Sequence, residues 1–160
     1  MTDQDREAVP GGFERLPEGF GFNDALQPVF RRVSGETAAF GIVVEAQHVN
    51  SMGICHGGVL MVLADMTAAS GVNLARGQLV GSPTINLSID FIAAGRVGQW
   101  IEARSEEVSV RRRFAFCSGA IYSSRGRLAR FNGTFYLPDH DGMWKNGKTP
   151  ASVLGEPPGG

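Results

Sequence analysis

At 160 residues, 42% of them hydrophobic and with a formal net charge of −1, the chain has the size and composition of one ordinary globular domain with room for a sizeable core. So balanced a charge gives no support to a nucleic-acid or anionic-membrane partner, and neither is expected. The two cysteines, Cys55 and Cys117, stand in neither a CxxC nor a zinc spacing, which predicts free thiols in a reducing compartment. Met1-Thr2-Asp3-Gln4-Asp5 lacks the basic and apolar blocks of a secretion signal, and no apolar run is expected to reach spanning length, so the cytoplasm is the expected location.

Residues 1 to 22 mix charge with Pro10, Gly11, Gly12, Pro17, Gly19 and Gly21, a composition that breaks regular structure. They predict an irregular arm, its first ten residues loose, with Phe13, Leu16, Phe20 and Phe22 as apolar anchors to the body. A short strand is predicted over 30–33 and a clearer one over 38–46. In the second, Phe40, Ile42, Val44 and Ala46 alternate with Ala39, Gly41, Val43 and Glu45, apolar on both faces in the middle. Residues 59–75, rich in Ala, Leu and Met and free of proline, predict a helix of about 25 Å that is apolar nearly all round and therefore buried.

Beyond the helix, residues 84–91 alternate strictly, placing Ile85, Leu87, Ile89 and Phe91 inward and Thr84, Asn86, Ser88 and Asp90 outward. Residues 99–110 alternate around Trp100, Glu102, Arg104 and Glu106, which predicts one wet face. After a reversal at Arg111-Arg112-Arg113 come strands over 114–123 and 128–137, joined by a hairpin at Ser124-Arg125-Gly126. Pro138 ends the last, and residues 139–160, Gly- and Pro-rich, predict a flexible tail. The body, 23–138, thus reads strand, strand, helix and four strands. One apolar helix and a run of antiparallel strands fit an α+β fold with an antiparallel sheet wrapped around one long central helix.

Two features around the helix go beyond packing. Gly57-Gly58 sits where the first free N–H groups point outward, and a residue without Cβ lets an oxygen approach them, as an oxyanion site requires. A tight turn would also account for such a pair. Asp65 is the only acid in the apolar helix; a buried carboxylate is costly unless paired, so it is either a hydrogen-bonded structural acid or a functional group. Eight residues separate Gly57 from Asp65, about 12 Å along one helix. Both cannot reach one substrate carbonyl from the same chain, so joint action implies a dimer with two equivalent interface sites.

Asn50, then His56-Gly57-Gly58, then Leu63-Ala64-Asp65, in this order and at this spacing, resemble the hotdog-fold acyl-CoA thioesterases, in particular the PaaI-like branch of phenylacetate-pathway thioesterases. The likeness extends over roughly residues 27 to 138. It implies a hotdog fold and hydrolysis of a small aryl- or acyl-CoA thioester to free acid and CoA, with no metal or redox cofactor, the CoA arriving as part of the substrate. It further implies that Gly57 N–H and Asn50 hold the carbonyl, that His56 organises the site, and that Thr84 steadies the attacking water. Asp65 of the partner subunit would act as general base or nucleophile, in a homodimer that pairs into a homotetramer. Pro83, just before Thr84, could shift the strand start.

Each of these residues has a plainer reading. Asn50 suits a turn, His56 suits a structural hydrogen bond beside a helix start, and Thr84 suits a strand surface. Thr67 and Ser70 are alternative hydroxyls near Asp65 that could instead back-bond within the helix. Cys55 beside His56 makes a poor nucleophile pair, because adjacent side chains seldom face each other. Arg111, Arg112, Arg113, Arg125 and Arg127 would suit CoA phosphates or simply a solvated hairpin. The rival activities are an acyl-thioester hydratase or dehydratase on the same fold and a non-catalytic acyl-CoA-binding protein.

Overall fold

The computed structural model describes residues 6–77 and 81–139. Its strands are β1 (Glu14–Arg15), β2 (Phe30–Ser34), β3 (Thr37–Val43), β4 (Thr84–Phe91), β5 (Trp100–Val110), β6 (Phe114–Ser123) and β7 (Gly126–Tyr136), and its one long helix is α1 (Gly57–Arg76). The strands form a single sheet in the order β1-β2-β3-β5-β6-β7-β4, antiparallel throughout. The helix lies across one face against β5, β3 and β6. This is the α+β hotdog arrangement expected.

Pattern and pairing agree along most of the sheet because the strands carry a period of two, with register slips in the β4–β7, β5–β6 and β6–β7 pairs. From β3, Ala38, Phe40 and Ile42 enter the core with Ile101 and Ala103 of β5 and with Leu60, Leu63, Ala64, Ala68 and Val72 of α1. The helix starts two residues earlier than its apolar pattern, because His56 caps it, and stops at Gly77, whose φ of 62° lets its N–H reach back to the Asn73 and Leu74 carbonyls. Between β6 and β7 the hairpin turns in two residues, with Ser123 opposite Gly126.

Four expectations need correction. The N-terminal arm is neither wholly irregular nor loose at residues 6–10. Glu14–Arg15 pairs with β2, Arg6 bonds Glu45 at 2.6 Å, and Glu7 accepts from the Trp100 N–H at 2.9 Å and the Ser124 hydroxyl at 2.7 Å. Residues 1–5 and 140–160, most of the expected tail, lie outside the described residues. The face of β5 expected to be wet is covered at its start: Trp100 and Glu102 are buried, because Phe13 of the arm and Phe30 of β2 close on Trp100 with ring centroids 4.9 and 5.9 Å away. Glu102 is a buried carboxylate that accepts from Trp100 Nε1 at 2.8 Å and pairs with Arg104 and Arg32.

The third correction concerns α1. It is long and apolar enough to cross a membrane by length and composition, contrary to expectation, and the sheet it packs on is what occupies its apolar face. It is also not buried all round, since Met61, Val62, Asp65, Met66, Ala69 and Ser70 are only partly covered. Fourth, β4 is less inward-facing than its alternation predicts: Ile85 and Phe91 are 55% and 56% exposed. β4 is the terminal strand, beyond the reach of most of α1, so a single chain covers only part of its apolar face.

Candidate active site

At the helix start the backbone donors are allocated one by one. His56, the N-cap, accepts the Gly58 N–H on Nδ1 at 2.8 Å, which leaves the ring proton on Nε2. The Val59 and Leu60 N–H groups both point to the His56 carbonyl, at 2.9 and 3.4 Å. Among the described residues only the Gly57 N–H of this first turn is left without a protein acceptor. A spare amide at the positive end of a helix is a donor site for a carbonyl oxygen gaining charge.

The loop before the helix aims at the same place. Asn50 Oδ1 accepts from Met52 N–H at 2.9 Å and Ile54 N–H at 3.4 Å, while the Asn50 N–H donates to the Ile54 carbonyl at 2.9 Å. The asparagine is therefore a turn residue, as its plainer reading held. That turn uses the side-chain oxygen and leaves the Nδ2 donors without an acceptor among the described residues. Asn50 and Gly57 line one cleft of about 390 Å³ with Met52, Ile54, Leu60, Phe91 and Ile92.

Asp65 sits two turns further along, and Thr84 Oγ1 donates to its Oδ1 at 2.7 Å. β4 begins at Thr84, as read, and the Pro83 carbonyl accepts the Tyr136 N–H at 2.9 Å, but the pairing with β7 slips between Thr84 and Asn86, next to the proline. Asp65 is partly exposed rather than buried. Thr67 turns into the core, fully buried, and among the described residues its hydroxyl has no partner and Ser70 has no bond to the acid. Of the three hydroxyls weighed, Thr84 is the one that meets Asp65. The structure thus groups Asn50, His56 and Gly57 at one place and Asp65 with Thr84 at another.

Cys55 lines the cleft, yet its side chain is buried and burial pushes the thiol up to about 12. It is no nucleophile at neutral pH. Among the basic residues weighed for CoA phosphates, Arg113 is occupied by Asp139 at 3.2 Å and the Tyr136 hydroxyl at 3.3 Å, and Arg127 by the Tyr122 hydroxyl at 3.3 Å. None of the five arginines lines the cleft.

His48 escaped the sequence reading. It is buried, its Nδ1 accepts the Glu45 N–H at 3.0 Å, and its carbonyl accepts the His56 N–H at 2.8 Å, so it braces the loop that carries Asn50. Burial pushes its imidazole below the usual 6.5, with the Leu26 carbonyl and the Glu45 carboxylate opposing that shift. A histidine in a loop, three residues after a glutamate, carries no sequence signal that separates this bracing role from a surface one.

Residues 52–130 match the family model described as Thioesterase superfamily. A Pseudomonas aeruginosa protein provisionally named an esterase is 30% identical over 131 residues, 81% of this chain and 98% of that protein. The chain belongs to the thioesterase superfamily. Within the superfamily, a mutant of the phenylacetic acid degradation protein PaaI of Thermus thermophilus is similar at 29% identity, over 73% of this chain and 98% of that one, with a TM-score of 0.65. A thioesterase-like protein of Streptococcus pneumoniae solved with coenzyme A shares the fold at 19% identity, over 72% of this chain and 89% of that one, with a TM-score of 0.65. Membership supports thioester hydrolysis as the class of chemistry, and the PaaI-like resemblance holds in the fold neighbours.

Proposed function

We propose that the protein hydrolyses acyl-CoA thioesters at two equivalent sites, each built from two copies of the chain. One copy supplies Gly57 N–H and Asn50 Nδ2 to the thioester carbonyl, and the other supplies Asp65 and Thr84. The observation that carries this reading is the division along α1: a spare amide at its start, and an acid with its hydroxyl partner eight residues on, about 12 Å away along the axis. Neither half does the chemistry alone. The partly covered side of α1 and the bare apolar face of β4 are where a second copy would sit, and dimers so formed would pair into tetramers. Binding of coenzyme A by the streptococcal relative supports CoA as the thiol carrier.

In the proposed reaction Asp65 takes a proton from water, and Thr84, bonded to Oδ1, leaves Oδ2 to face it. The hydroxide attacks the carbonyl carbon while the developing oxyanion is held by Gly57 and Asn50. The C–S bond then breaks, and the thiolate of CoA leaves beside a free acid. His56 fixes the helix start through the Gly58 N–H that its Nδ1 accepts.

The test is thiol release from a panel of aryl, short and long acyl-CoAs. Asp65→Asn is expected to lower kcat on the order of 100-fold or more with folding retained. Mixing Asp65→Asn with Asn50→Ala subunits after dissociation should restore about a quarter of wild-type activity, because half of the dimers carry one intact site. An Asp65→Asn protein that keeps its rate, or a mixture that recovers nothing, defeats the shared site. Hydration of an enoyl-CoA without thiol release would favour the hydratase instead.

A further inference from the structure

We propose that Phe91 sets which acyl groups the site accepts, by excluding carbon branching next to the thioester carbonyl. This rests on the hydrolytic reading above and adds a specificity-determining residue to it. Phe91 is the last residue of β4, opposite Ala129 of β7. Its backbone is held in place, because the next two N–H groups, of Ile92 and Ala93, both donate to the Leu128 carbonyl at 2.8 and 3.0 Å. The neighbouring Asp90 points to the other face and is tied to Arg130 at 2.8 Å.

The ring of Phe91 is more than half exposed, yet its tip rests on the helix start. A Cβ placed on Gly57 would lie 3.0 Å from Cζ, 3.4 Å from Cε1 and 3.6 Å from Cε2. The ring therefore touches the very residue whose N–H is unspent. Gly57 and Phe91 line the same cleft, so a carbonyl held by that N–H brings its α-carbon alongside the ring. Beyond this point the wall is formed by Met52, Ile54, Leu60 and Ile92, which are apolar and, apart from Leu60, at least partly exposed. The restriction is thus local: a tail has room further along the cleft, and a second substituent on the α-carbon meets Phe91.

Two isomeric substrates isolate the effect. Butyryl-CoA and isobutyryl-CoA differ only in branching at the α-carbon, and wild type is expected to favour the straight chain in kcat/KM by about tenfold or more. In Phe91→Ala the ratio should fall to within about threefold, with Phe91→Leu between. Partial unfolding or a weakened dimer scales both rates together and leaves the ratio untouched. A wild-type ratio near one, or a ratio unchanged in Phe91→Ala, overturns the proposal. Failure of the hydrolytic reading looks different: no thiol is released from any acyl-CoA. The same pair is then compared by calorimetry as ketone analogues, with CH2 between sulfur and carbonyl. Unequal wild-type affinities that become equal in Phe91→Ala support the selecting role without turnover, and equal wild-type affinities end it.

Discussion

Along β2, β3 and β5 the outer face of the sheet is roofed by the chain's own N-terminal arm, whereas at the far end β4 and the adjoining side of α1 are left open. Under the roof, Phe13 meets Trp100 edge-on, Arg32 lies 4.4 Å from the centre of the Phe13 ring, and Glu102 is enclosed with its partners. At the open end Ile85, Phe91 and Ile92 are all more than half exposed, and Asp65 stands at the edge of a half-covered helix. The difference separates what the chain stabilises alone from what it holds out to a second copy. Side chains under the roof should therefore govern stability, and those at the open end should govern activity.

Substitutions at the two ends test that division. After Asp65→Asn, the largest expected effect is under the roof. A Cβ on Gly41 would lie 2.3 Å from Trp100 Cζ2 and 2.8 Å from the Ile101 carbonyl, so Gly41→Ala should destabilise by about 1–3 kcal/mol in urea unfolding. Its kcat/KM should stay near wild type. At the open end, Thr84→Val removes the only hydroxyl bonded to Asp65 among the described residues and should lower kcat about tenfold, with little change in the unfolding midpoint. Equal losses of stability and activity in both variants would erase the distinction between the ends.

A smaller effect is expected from pH. Because burial depresses the His48 imidazole in the folded chain, the unfolded chain binds the extra proton first. The contribution of His48 is therefore fully present above 6.5 and is lost as pH falls through that value towards its lower folded one. The thermal midpoint of wild type should drop on acidification from neutral pH, and His48→Gln should flatten this slope. Least of all should change on alkylation: both thiols are buried and pushed up to about 12, so a maleimide at neutral pH should label neither Cys55 nor Cys117 before unfolding. Labelling of Cys55 in the native protein would mean that the cleft opens further than its packing allows.

Much of the frame was legible in the sequence because it depends on local periodicity. The bounds read for residues 84–91 match β4 end for end, and the hairpin at Ser124-Arg125 follows from turn chemistry. The arm was harder to read. Its glycines and prolines suggest disorder, and only Trp100, placed under it by the pairing of β3 with β5, makes Phe13 and Glu7 into anchors. For the same reason the wet face expected of β5 is dry at Glu102: alternation says which side a residue takes, and not what lies above that side.

The motif from Asn50 to Asp65 suffices, with the rise of a helix, to place the spare amide and the acid too far apart for one chain to use both, and this much is determined without coordinates. Tertiary structure decided between the readings left open, leaving the N–H of Gly57 and not Gly58 unspent and bringing Thr84 rather than Thr67 or Ser70 to Asp65 across 19 residues of chain, the two residues the resemblance singles out; it alone decided that Phe91 rests against the helix start. The physical reason is reach. Backbone propensity and side-chain period act between residues a few positions apart, whereas these contacts exist only once β4 has closed against β7 and carried Thr84 and Phe91 to the two ends of the same stretch of helix.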